Sequence, residues 1–556
     1  MERVWWKEAV GYQVYPRSFQ DSNGDGIGDI QGLIQRLDYL QELGIDLIWM
    51  CPMYQSPQDD NGYDISDYKA ILEEFGTMKD FDELLQKVHE RGMKLIIDLV
   101  LNHTSDEHPW FIESRSSKES EKRDWYIWRD GKNGQEPNNW ESIFGGSAWK
   151  YDENTDQYFL HVFSKKQPDL NWENPEVRSA LYETVNWWLD KGIDGFRIDA
   201  ISHIKKRPGL PDMPNPKKKK YVSSFDMHMN QPGIHKFLQE FKEETFGNYD
   251  VVTVGEANGV NVKEADLWVG KKGKMNMIFQ FEHLDLWDAG TKGTLDVRGL
   301  KKVLTRWQKG LEMNGWNALF IENHDLARVV STWGDDKEYW KESATAIATM
   351  YFFMQGTPFI YQGQEIGMTN ARFSSIEEYD DVAAKNIYRE KKAQNVPEKE
   401  ILELLGQTSR DNSRTPMQWS NEKNAGFSTG KPWLKINPNY KKVNVDKQKQ
   451  DSSSILNYYK TMIKLKKQYD LFTYGRYTLL NEEDNQIYAY LREGDKQNAL
   501  IVTNLSGKQA KWNGAGILLS SHQLLLNNYQ GLFHKEIESL LLNPYEARIY
   551  LIDSSS

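Results

Sequence analysis

The stretch KLIIDLVLNH, residues 94–103, decides the fold. After one lysine it runs through apolar residues with Asp98 embedded among them, and it ends on Asn102 and His103. A strand with one wet face alternates polar and apolar residues. This one does not, so it reads as a strand covered on both faces, the condition of parallel strands. VVTVGEA (251–257) reads the same way. Working outward, short β-rich runs recur at GYQVYPRSF (11–19), DLIWMCPMY (46–54), GFRIDAI (195–201), MIFQFE (277–282), ALFIENHD (318–325) and PFIYQGQEIG (358–367). Amphipathic helical patterns fit between them, as in IQGLIQRLDYLQELG (30–44) and TMKDFDELLQKVHERG (77–92). Strands alternating with crossover helices predict an α/β fold, a (β/α)8 TIM barrel.

Two segments break the alternation. Residues 104–171 are long, aromatic and polar, show no helical pattern, and read as an inserted domain after the third strand. From about residue 475, YTLL, QIYAYLR, ALIVTNLS, HQLLL and ARIYLI are short strands between turns, the pattern of a C-terminal antiparallel β-sandwich domain. The expected organisation is a catalytic barrel over 1–103 and 172–474, an inserted domain over 104–171 and a β domain over 475–556. The run KKKK (217–220) reads as a solvated loop and the closing serines as a frayed end.

A net charge of −12 over 556 residues and a pI of about 5.6 argue against nucleic-acid and anionic-membrane partners. Mean hydropathy is −0.72, and no run of about 18 apolar residues suggests a membrane span. MERVWWKEAV lacks the basic head and apolar stretch of a signal peptide, so the expectation is a cytoplasmic protein, monomeric or weakly homo-oligomeric. The single cysteine, Cys51, excludes a disulfide within the chain and a Cys-based zinc site, which fits a reducing compartment. Aromatic residues reach 13%. Most belong to a core, and the excess favours a carbohydrate ligand.

Polar residues at the C-terminal ends of barrel strands converge on one mouth. In GFRIDAI, Arg197 and Asp199 are two apart and point the same way, so the guanidinium should keep Asp199 ionised, as a nucleophile requires. VVTVGEA stays apolar until Glu256, a lone carboxyl suited to a general acid. ENHD adds His324 and Asp325. Two carboxylates flanking a scissile bond are the machinery of glycoside hydrolysis. No histidines fall at HExxH spacing, which disfavours a zinc hydrolase.

DLVLNH, GFRIDAI, VGEA and ENHD, in this order, resemble the four conserved regions of the α-amylase family of glycoside hydrolases, over nearly the whole chain. QPDLNWENP (167–175), DDNGYDISDY (59–68) and RDNSRTPMQW (410–419) resemble the branch of oligo-1,6-glucosidases, exo-α-1,4-glucosidases, trehalose-6-phosphate hydrolases and dextran glucosidases. The resemblance implies Asp199 as nucleophile, Glu256 as general acid/base and Asp325 as transition-state stabiliser. Arg197 would orient Asp199, and His103 and His324 would bind hydroxyls of the terminal glucose. Asp60 and Arg410 would close the pocket so that only a chain end enters. Tyr63 would stack on the sugar, with Phe144, Phe163, Gln167 and Phe281 as wall residues. The implied reaction is a retaining double displacement.

For the linkage, the residue after the nucleophile is Ala200. In the resembling enzymes valine there accompanies α-1,6 preference, and its methyls would exclude an α-1,4-linked partner. VGEANGV also looks like the α-1,4 type. The expected activity is release of glucose from the non-reducing end of maltose and short malto-oligosaccharides, with α-1,6 cleavage and glucosyl transfer as side activities. The alternatives are an oligo-1,6-glucosidase, then a trehalose-6-phosphate hydrolase, for which lysines over 205–220 speak. A non-catalytic barrel partner protein is the non-enzyme alternative, and the intact acids speak against it. The RLDRD-type loop of sucrose isomerases is absent from 282–296.

DSNGDGIGD (21–29) supplies oxygens at Asp21, Asn23, Asp25 and Asp29, with Gly26 in sixth place, like an EF-hand; the twelfth place, however, is Gly32, not glutamate. The resembling enzymes bind calcium or magnesium at this loop. The expectation is a structural Ca2+ (or Mg2+) clip with the Ile27 carbonyl as a further ligand, and no organic cofactor.

Overall fold

In the computed structural model the described residues are 2–270, 272–286, 295–514, 522–530 and 539–553. Part of the 282–296 segment and the closing serines lie outside them. The barrel strands are β1 (Gly11–Val14), β2 (Leu47–Met50), β3 (Lys94–Val100), β4 (Gly195–Asp199), β5 (Val252–Glu256), β6 (Met277–Phe279), β7 (Ala318–Leu319) and β8 (Thr357–Tyr361). Parallel ladders run from β1 through β6 in chain order, and β8 pairs with both β7 and β1. A parallel bridge between Ile278 and Asn317 joins the remaining edges of β6 and β7. Every residue of β3 after Lys94 is buried, which is why the sequence shows no alternation there.

The helix Met78–Glu90 follows the sequence pattern and starts on a capping box, with Thr77 accepting from the Asp80 amide. The pattern at 30–44 resolves into two helices, Ile30–Gln35 and Leu37–Leu43. At the break, Arg36 lays its guanidinium over Trp419 at 4.1 Å and donates Nε to Gln20 Oε1 at 2.8 Å. Segment 104–171 contains a helix that the sequence reading missed, Pro109–Ser114. Six residues are too few for a readable period; the signal was a cap, since His108 Nδ1 accepts from the Trp110 amide and Pro109 opens the first turn. Its Phe111 packs on Trp128, Phe159 and Tyr126, so many of this segment's aromatics are core.

Toward the C-terminus, β9 (Arg476–Leu480), β10 (Ile487–Glu493), β11 (Gln497–Asn504), β13 (His522–Asn527) and β15 (Ala547–Asp553) form one antiparallel sheet. A second, of β12 (Ala510–Asn513) and β14 (Ser539–Leu542), packs against it through Trp512, Leu540 and Leu542 on Leu500, Val502 and Tyr550.

Candidate active site

Asp98, Arg197, Asp199 and Glu256 sit at or near the C-terminal ends of β3, β4 and β5, and one guanidinium organises them. Arg197 Nη1 donates to Asp98 Oδ1 at 2.9 Å and to Asp199 Oδ1 at 2.6 Å; Nη2 donates to Glu256 Oε2 at 2.7 Å. Glu256 is therefore not the lone carboxyl read from the sequence. Nor does Arg197 keep Asp199 an ordinary carboxylate. Burial first, and the neighbouring Glu256 second, push Asp199 well above the usual range, with Arg197 only partly offsetting them. One cation facing three acids cannot neutralise them all.

Asp98 is held behind them by Trp49 Nε1 at 3.0 Å and the Tyr63 hydroxyl at 2.9 Å. The Tyr63 ring stacks on His324, centroids 5.2 Å apart and planes within 7°. Gln13 Nε2 lies 2.7 Å from His324 Nδ1, which fixes the ring, and burial lowers the His324 pKa to about 3, so the imidazole is neutral. His324 Nε2 stands 3.4 Å from Asp325 Oδ2 and has no hydrogen-bond partner among the described residues. Arg414 Nη1 is likewise unpartnered. Buried donors without partners at a carboxylate-lined pit fit a polyhydroxyl ligand.

The short helix Asp411–Arg414 and its N-cap Arg410 close the wall. Arg410 donates to Asp325 Oδ1 at 3.1 Å, to Asp60 Oδ1 at 3.0 Å and to Asp381 Oδ1 at 2.6 Å. Arg414 Nη2 reaches Asp325 Oδ1 at 2.9 Å. Burial works against the Asp325 carboxylate, but His324, Arg410 and Arg414 more than offset it and hold it well below the usual range. Since His324 is neutral, the two guanidiniums are the lasting counter-charge. Gln167 Nε2 bridges Asp60 Oδ2 and the Tyr63 carbonyl, each at 3.1 Å. His103 Nε2 lies 2.9 Å from that same carbonyl, and burial lowers its pKa to about 4.

A separate cleft of about 1000 Å³ is lined by Phe144, Phe163, Asp59 and Asp380, and the three acids are not part of its lining. Residues 13–475 match the alpha-amylase catalytic domain. The chain belongs to the α-amylase family. It is a glycoside hydrolase acting on oligosaccharides. A "probable oligo-1,6-glucosidase 3" of Bacillus subtilis (strain 168) is 61% identical over 99% of this chain and all of its own length. An "oligo-1,6-glucosidase" of Parageobacillus thermoglucosidasius is 54% identical with the same coverage. Among solved structures, the trehalose-6-phosphate hydrolase of Bacillus licheniformis is 45% identical with a TM-score of 0.92, over 99% of this chain and all of that one. The isomaltulose synthase of Klebsiella sp. LX3 is 42% identical with a TM-score of 0.94 and the same coverage.

Against this α-amylase-family frame, the contacts of the sequence-expected wall residues can be read one by one. Phe144 and Phe163 pair at 5.9 Å, and Arg410 lies over Phe144 at 4.9 Å. Phe281 packs its ring on Phe320, at 5.9 Å. Ala200 is buried against the acids, and its amide donates to Glu256 Oε2 at 3.0 Å. Sequence reasoning missed Asp381 and Arg414 and gave Asp98 no role. Arg414 lay inside RDNSRTPMQW; Asp381 carried no signal beyond an acidic pair in a loop.

The loop over 21–29 is closed by its own hydrogen bonds. Asp21 Oδ1 accepts from the amides of Asn23 and Gly24, and Oδ2 from Gly26 and the Ser428 hydroxyl. Asn23 and Asp25 take the amides two residues on, and Asp29 caps the helix at Ile30 through the Gly32 amide. Three carboxylates, an amide oxygen and the Ile27 carbonyl are hard-oxygen donors of the kind calcium takes. Among the described residues, no three His, Cys, Asp or Glu side chains already converge as a metal cluster.

Proposed function

We propose that the chain is an exo-acting, retaining α-glucosidase that cleaves α-1,6 links at the non-reducing end of isomalto-oligosaccharides. The observation that carries this reading is full-length similarity, at 61% and 54% identity, to proteins named oligo-1,6-glucosidases. It reverses the order of preference that Ala200 gives from sequence. The wall built by Arg410 with Asp60 and Asp381 supports the exo mode, since a sealed end accepts only a terminal glucose.

Asp199 is the nucleophile. Its Oδ1 is engaged by Arg197, so the other oxygen attacks the anomeric carbon as Glu256 protonates the departing glycosidic oxygen. The resulting glucosyl ester is cleaved by a water whose proton returns to Glu256, restoring both carboxyls. Asp325, held anionic by Arg410 and Arg414, stabilises the oxocarbenium-like charge and grips hydroxyls together with His324 and His103. Phe144, Phe163, Tyr63 and Gln167 shape the pocket. A calcium or magnesium ion at Asp21, Asn23, Asp25, Asp29 and the Ile27 carbonyl would cross-link the loop and take no part in the reaction. The lone, buried Cys51 supports a cytoplasmic location.

Ala200 favours a second reading, α-1,4 cleavage of maltose, and a Pediococcus pentosaceus relative named alpha-glucosidase is 47% identical. Lys205 and Lys206, two of the residues that spoke for a phosphorylated leaving sugar, are taken by Glu173 and Asp169. The experiment is glucose release from isomaltose, maltose and trehalose 6-phosphate, by wild type and Ala200→Val. Isomaltose is expected to be cleaved fastest. A clear preference for maltose would install the second reading, and no release from any of the three would overturn the α-glucosidase assignment.

A further inference from the structure

Ala200, a residue with a Cβ, has a left-handed backbone, at φ 44° and ψ 27°. Such a conformation is strained for a residue with a Cβ. It is maintained by the turn that follows, where the His203 amide donates to the Ala200 carbonyl at 2.9 Å and opens the short helix Ile201–His203. Strain held by its surroundings next to reacting groups invites the question of what it accomplishes.

The turn aims the Ala200 amide at Glu256. Of the two donors that reach this carboxyl, Arg197 Nη2 at 2.7 Å and the Ala200 N–H at 3.0 Å, both converge on Oε2 and neither on Oε1. An oxygen accepting from a guanidinium and an amide is the carbonyl-like or anionic one, and the proton of the acid form belongs on its partner. We infer that the left-handed turn at Ala200 positions the general acid/base, fixing Oε2 as acceptor so that Oε1 carries the transferred proton. This rests on the glycosidase reading above and adds a backbone role to position 200. In the first half-reaction the Oε1–H bond breaks as the proton passes to the glycosidic oxygen, while the anomeric C–O bond breaks and the Asp199 ester forms. In the second, Oε1 takes the proton of the attacking water. The charged groups facing Glu256 are Arg197 and Asp199, with Asp98 beyond Arg197.

The test replaces Ala200 by lactic acid through nonsense suppression, which keeps the methyl and puts an ester oxygen, which cannot donate, in place of the N–H. Losing a donor to the anion should move the basic limb of the kcat/KM profile up by about one pH unit. It should also lower kcat/KM on isomaltose about tenfold and on p-nitrophenyl α-glucoside, whose leaving group needs little protonation, less than threefold. Ala200→Gly keeps the N–H and the turn and should leave the limb in place. Equal losses on both substrates with an unmoved limb, or no loss at all, would overturn the inference. Wild type inactive on both substrates would instead overturn the glycosidase reading on which it rests.

Discussion

Arg410 donates to Asp381 twice, through Nε at 3.0 Å and Nη2 at 2.6 Å, both to Oδ1. Asp381 is almost wholly buried and also caps the helix Val382–Ala393 by accepting from the Ala383 amide. The pair ties the far wall of the glucose pocket to a helix N-terminus, so Arg410 is braced from outside the pocket while its remaining bonds face Asp60 and Asp325.

Asp381→Ala should therefore loosen the wall. Removing one partner of a buried ion pair costs about 3–5 kcal/mol when nothing compensates. Arg410 keeps two other carboxylates, so a loss of about 2 kcal/mol is expected in kcat/KM on isomaltose, chiefly through KM. Steady-state kinetics decide it; an unchanged KM would mean that the wall is braced elsewhere.

Asp199→Asn should lower kcat on the order of 10⁴-fold or more, as expected when a nucleophile is removed. In wild type, burial and Glu256 raise the Asp199 pKa, and attack requires the ionised form. The acidic limb of kcat/KM should then lie above the ~3.9 of an unperturbed aspartate, with activity lost as pH falls through it. A limb at or below that value would contradict the raised Asp199 pKa.

Asp411 offers a pH test that does not depend on catalysis. Its Oδ2 accepts the amides of Asp380 and Asp381, its Oδ1 has no partner, and burial, with Asp381 second, raises its pKa to about 6. The folded state binds this proton more tightly than the unfolded state. The associated stability is fully present below ~3.9 and is lost as pH rises through about 6, an effect of roughly 2–3 kcal/mol. Relative to wild type, Asp411→Asn should gain in melting temperature between pH 4 and pH 7. A difference that stays flat across that range would rule the linkage out.

Chelation probes the loop over 21–29. A chelator should lower the melting temperature and leave kcat unchanged below the transition, and added calcium should restore it. Immediate loss of activity at unchanged stability would place the ion in the reaction.

The barrel was legible because strands buried on both faces and capped amphipathic helices are local patterns, as in β3 and Met78–Glu90. The acids at strand ends were legible because the fold fixes where strands end. What escaped were features set by distant chain segments. Asp381 matters only because Arg410 lies beside it. The ionisation of Asp199 was misread because Arg197 appeared to serve one carboxylate, and only the assembled β3–β5 edge shows it serving three.

The stitching of the first loops to segments beyond β8 sets a timetable for the nascent chain. The Asp21 amide donates to the Phe427 carbonyl, Ser428 donates to Asp21, and a Cβ at Gly26 would lie 1.8 Å from the Lys431 carbonyl oxygen. Asp60 meets Arg410 across 350 positions. At about 5–20 residues per second, translation leaves Asp60 waiting roughly 20–70 s for that partner. During that interval the sugar pocket is open on one side, and a ribosome stalled before residue 410 holds the nucleophile and the acid/base but no sealed binding site.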